Sequence, residues 1–119
     1  MNERVSHVDA VFGGERMRFE LLRDELVSFE VLAGAPAMTV LGHYLAGGWS
    51  MRELVTTLRF AHPAGYLRSG EAVASALRER GPAIYLQLAA RVLEAALMGV
   101  PPVLGVFDEA SIDRDEAAA

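Results

Sequence analysis

"HVDAVFGGERMRFEL", residues His7 to Leu21, decides how the rest of the chain has to fold. Val8, Ala10 and Phe12 alternate with His7, Asp9 and Val11, and beyond Gly13-Gly14-Glu15, Met17, Phe19 and Leu21 alternate with Arg16, Arg18 and Glu20. A period of two on both sides of a Gly-Gly predicts a β-hairpin, because a tight turn needs the positive φ that glycine adopts freely. The hairpin has one oily face and one charged face. Two strands alone are marginal in water, so the oily face needs a cover, either the rest of the chain or a second copy of it.

Beyond Leu21 the chain reads as helix. Leu22, Leu26, Phe29 and Ala33 fall on one stripe of a first helix over about Arg23 to Ala33, with Asp24 and Glu25 near its positive end and Gly34 stopping it. Pro36 opens a short second helix, about Ala37 to Ala46, which ends at Gly47-Gly48. In "WSMRELVTTLRFAH", Ser50 and Glu53 form a capping box, and Met51, Leu54, Val55, Leu58 and Ala61 make an apolar stripe up to Pro63. "AGYLRSG" is a loop before a fourth helix, about Gly70 to Arg80. The last helix runs from Pro82 to about Met98 and carries only a narrow polar stripe of Gln87, Arg91 and Glu94. A helix apolar nearly all round is buried on most sides, so it is either the centre of the bundle or part of a subunit interface.

The predicted fold is therefore α+β, mostly α: an N-terminal β-hairpin packed on a four- to five-helix bundle over residues 1–99. Residues 100–119 form an acidic tail, expected to be flexible. Length suits a single domain. The net charge is −5, and the stretch from Val100 onward holds five acids against one arginine, so the body is nearly neutral. No face carries the basic density that a phosphate backbone requires, and no nucleic-acid partner is expected. Cysteine is absent, which removes disulfides, thiolate metal sites and cysteine nucleophiles. There is no signal-peptide layout and no apolar run of 18 residues, so a cytoplasmic location is the expectation.

Catalytic patterns are missing. His7, His43 and His62 show neither H-x-x-x-H nor H-E-x-x-H spacing, and no metal or other cofactor is expected. Asp24-Glu25 and Asp108-Glu109 are adjacent acids that point apart, unlike a converging catalytic pair. Ser50 and Ser69 read as helix caps. Exposed apolar groups stand out instead: Trp49 in a Gly-Gly-Trp turn, and the cluster Val103, Leu104, Val106 and Phe107 beyond two prolines. Trp49 either closes the junction of helices two and three or binds a partner. The tail cluster either folds back on the hairpin or is a docking motif that orders on binding.

The order of these parts resembles the tail-assembly-chaperone-like proteins of gene transfer agents and related tailed phages. The resemblance rests on "VDAVFGGERMRFEL", on "ELVSFEVLAG" with its Phe29-Glu30 pair and Gly34, and on "GGWSMRELVTTLRFAH", trailed by a glycine-bounded helix and a long Ala/Leu-rich last helix. It covers about residues 7–99 and leaves out the tail, while "RFAHPAGYLRSG" is bulkier than such a layout usually has. It implies a non-enzymatic factor that binds the helical tape-measure protein, and tail-tube subunits, before the tube polymerises; the nearly all-apolar last helix adds a homo-oligomer as an expectation. The partner-binding expectation falls on Trp49, Val103, Leu104, Val106 and Phe107. Rival expectations are a small metal-dependent hydrolase using His43 and His62 with a nearby acid, and a small acidic protein-binding regulator.

Overall fold

The structure, a computed structural model, describes residues 4–101 and 106–107. Strands β1 (His7–Phe12) and β2 (Glu15–Glu20) form the hairpin, in register from His7 opposite Glu20 to Phe12 opposite Glu15. Gly13 and Gly14 make the two-residue turn with φ of +60° and +85°, the sign that a turn matching the strands' right-handed twist requires. Five helices come next: α1 (Leu26–Ala33), α2 (Ala37–Ala46), α3 (Met51–Ala61), α4 (Gly70–Arg80) and α5 (Leu86–Met98). One tight turn, Arg23–Glu25, leads into α1, and another, Ala83–Tyr85, leads into α5. Both expected helices thus begin as 3₁₀, a common form for a first turn. The α+β, mostly helical fold is as the sequence implies.

The hairpin is not isolated. A third strand, β3 (Val106–Phe107), lies parallel to β1 with Val106 opposite Asp9 and Phe107 opposite Ala10, giving the order β2-β1-β3. Val5 and Val100 also exchange both backbone hydrogen bonds, 2.9 and 3.0 Å, and Val100 is buried. The body is therefore closed where its two ends meet. In this way β1 has a neighbour on each side at Asp9 and Ala10.

The oily face of the hairpin is covered from within the chain. Val8, Ala10, Phe12 and Phe19 are buried, and Phe12 packs on Tyr85 with ring centres 5.0 Å apart and on Phe19 at 5.3 Å. Helix α5 is the hub, touching β1, β2, α2 and α3. Its Leu88, Ala89, Val92, Leu93 and Ala95 are buried, while Arg91 and Glu94 pair on the polar stripe. On the outer face Arg18 reaches Asp9 across the strands at 3.2 Å. Among the described residues no single helix is long and apolar enough to cross a membrane.

Candidate functional site

Two kinds of surface compete for a role: polar clusters, which could do chemistry, and apolar faces, which could bind. The polar clusters turn out to hold helices in place. Ser50 begins α3 with its hydroxyl accepting from the Glu53 N–H, and the Glu53 carboxylate accepts from the Ser50 N–H at 2.8 Å and its hydroxyl at 3.1 Å. The other Glu53 oxygen meets His43 Nδ1 of α2 at 2.5 Å. Glu53 is only 5% exposed. Burial pushes its carboxyl up, and the bonds from His43 and Ser50 outweigh that and hold it below the ordinary glutamate range. One turn further along, Tyr44 Oη and Thr57 Oγ1 are 2.7 Å apart, and Thr57 donates back to the Glu53 carbonyl at 2.8 Å. Burial raises the Tyr44 phenol well above its usual value. The expected capping box is thus also the tie between α2 and α3.

Glu30, noted in the sequence beside Phe29, has a similar duty. Its carboxylate accepts the Ala37 N–H at 2.6 Å, placing an acid at the positive end of α2. Phe29 is buried and meets Phe60 edge-on at 6.0 Å. At the C-terminal end of α1, Arg52 Nε donates to the Leu32 carbonyl at 2.7 Å. Gly34 leaves room for this arginine, since a β-carbon there would sit 3.2 Å from its Cζ, and its φ of +83° suits glycine.

His43 and His62 do not come together. His43 faces α3 at Glu53, whereas His62 ends the same helix nine residues on, about 14 Å along its axis. There His62 lies edge-on to Phe12 and Phe19, and Nδ1 accepts the Ala64 N–H at 3.0 Å. Its Nε2 is buried without a partner among the described residues, and burial lowers its pKa. No group of three His, Asp or Glu able to hold a metal occurs among the described residues. The two-histidine hydrolase therefore finds no support.

Exposed large apolar side chains occur singly at Leu22, Met51, Leu67 and Met98 and as neighbours on α1 and α2. Val27 and Val31, four residues apart on one face of α1, are 73% and 69% exposed. Met38 and Leu45, seven apart on one face of α2, are 59% and 72% exposed, with exposed Gly42 between them. Of the stripe Leu22-Leu26-Phe29-Ala33 that the sequence singles out, Phe29 and Ala33 are buried and Leu26 is half-buried, while Leu22, which precedes the first tight turn, stays exposed. A signal was available: "LVSFEVLA" holds more apolar residues than one stripe can use. Of the expected partner-binding residues, Trp49 is half-buried and packs on the core at the α2–α3 junction. Val106 and Phe107 pair with β1 through their backbone, and Val103 and Leu104 lie outside the described residues.

A family model described as phage tail tube protein, GTA-gp10, matches residues 5–99, which span the hairpin and all five helices. No curated protein and no solved structure matches the chain. On the extent of that match the chain belongs to the GTA-gp10 phage tail tube protein family, a structural family, and has a structural or assembly role connected with a phage-like tail.

Proposed function

We propose that the chain is a non-enzymatic tail-assembly factor of chaperone type, which binds a helical client before the tail tube polymerises. The client best suited to it is the long helical tape-measure protein, with tail-tube subunits as second partners, in the cytoplasm of the bacterial host. The observation that carries this reading is the pair of exposed apolar stripes, Val27–Val31 on α1 and Met38–Leu45 on α2. A helix that leaves such a stripe uncovered can dock an amphipathic helix by ridges into grooves, and burying it stabilises the complex at about 25 cal/mol per Å² of apolar area. Trp49, half-buried beside α2, would extend that contact, and the same stripes would serve self-association.

The test is co-expression of this chain with the long helical tape-measure-like protein of the same genome. The expected result is that the client becomes soluble and co-purifies. With Val27→Asp plus Val31→Asp it should stay behind, while the variant keeps its melting temperature within a few degrees. A client that remains insoluble with the unaltered chain overturns the reading.

A further inference from the structure

A second apolar surface lies away from α1 and α2. Helices α3 and α4 leave between them an open groove of about 390 Å³, floored by Met51, Val55, Val73 and Leu77 and flanked by Arg59 and Arg78. Arg59 is held in place: its guanidinium lies 4.1 Å over the Tyr66 ring, and Nη2 donates to the Tyr66 carbonyl at 2.9 Å. Gly70 leaves it room, because a β-carbon there would sit 3.1 Å from Nη2. Its Nε is buried and has no acceptor among the described residues. An apolar floor between two cations selects a short segment that is apolar in one place and acidic around it.

We infer that this groove takes the chain's own C-terminal segment, residues 108–119. That segment reads "DEASIDRDEAAA", with Ile112 as its one large apolar residue among Asp108, Glu109, Asp113, Asp115 and Glu116. It holds −4 of the chain's net −5, so charge and apolar content both complement the groove. Its starting point is favourable as well. Strand β3 runs parallel to β1 and so heads toward the hairpin turn, and Phe12 and Gly13 at that turn border a depression shared with Ala72 and Ala76 of α4. Twelve residues at about 3.3 Å each reach about 40 Å, against a longest molecular dimension of 39 Å. The groove is on the next side of the same helix, at Val73 and Leu77.

The absence of native cysteine allows a single spin label. The experiment attaches a nitroxide to Ala118→Cys in the full-length protein and reads amide signal loss by NMR. Signals of Val55, Ala74 and Leu77 should lose at least half their intensity, those of exposed Val27 and Val31 should not, and 0.5 M salt should restore much of the loss. Ile112→Asp in the labelled chain should abolish the effect while leaving the rest of the spectrum in place. Mixing unlabelled ¹⁵N chain with labelled ¹⁴N chain separates the source. Signal loss confined to that mixture overturns the inference in favour of exchange between copies, and loss elsewhere or nowhere overturns it outright.

Discussion

The α2–α3 junction and the outer face of α1 and α2 are built from neighbouring residues and end in opposite states. At the junction His43, Ser50, Glu53, Tyr44 and Thr57 are joined by hydrogen bonds from 2.5 to 3.2 Å. On the outer face Val27, Val31, Met38 and Leu45 stand open to solvent. A buried carboxylate such as Glu53 is expensive unless every lone pair finds a donor, so the junction has essentially one arrangement. An exposed valine costs the monomer little and gives a partner something to cover. Polar residues here specify the fold, and apolar residues outside the core are, on the function proposed above, what a partner would cover. That is the reverse of the usual assignment, in which polar groups are searched for function first.

Breaking the buried framework under both regions should have the largest effect. Phe29→Ala removes a fully buried ring against Phe60 and should cost about 3–5 kcal/mol in urea unfolding. Breaking the junction alone comes next. Glu53→Ala removes the cap and the partner of His43, with an expected loss of about 1–2 kcal/mol. The same residue gives a pH test. Its folded pKa is lowered, so its contribution is present above the ordinary glutamate value, about 4.3, and is lost as pH falls below it. Glu53→Gln should flatten stability against pH in that acid range.

His62 sharpens the comparison, because it is half-buried and its Nε2 lacks, among the described residues, the partners that the Glu53 carboxylate has. Its folded pKa is also lowered, here by burial. For a histidine that means the unfolded chain takes up the proton first, so stability falls as pH drops below about 6.5. His62→Leu should remove that slope between about pH 7 and 5, read as melting temperature against pH. The smallest stability effect belongs to the outer face. Val31→Ser should stay within about 0.5 kcal/mol of the unaltered protein and yet weaken client binding measurably in the co-purification assay.

Much of this architecture was legible from local signals. Gly13-Gly14, Gly34, Pro36, Gly47, the Ser50–Glu53 box and Gly81 punctuate the chain where its elements begin and end, because each acts within a few residues of itself. What could not be read is what joins distant positions. Val5 and Val100 are 95 residues apart, and Val106 settles beside Asp9 with only two residues of strand to announce it. Glu30 reaching Ala37, and His43 reaching Glu53, depend on the angles between helices, which no spacing rule encodes. The exposed stripes were partly visible, since α1 has more apolar residues than one face can bury, while Trp49, left by its turn and size between closing the α2–α3 junction and binding a partner, is half-buried and packed on the core.

The order β2-β1-β3 also determines how the molecule would carry tension. A pull between the N-terminus and the segment beyond Phe107 draws on opposite ends of two parallel strands, so the β1–β3 hydrogen bonds are loaded together in shear rather than opened one at a time. That load enters at β1, the middle strand, whose Val8, Ala10 and Phe12 are sunk in the core. A pull on the C-terminal end is therefore passed, through the two paired residues of β3, to the middle strand of the sheet.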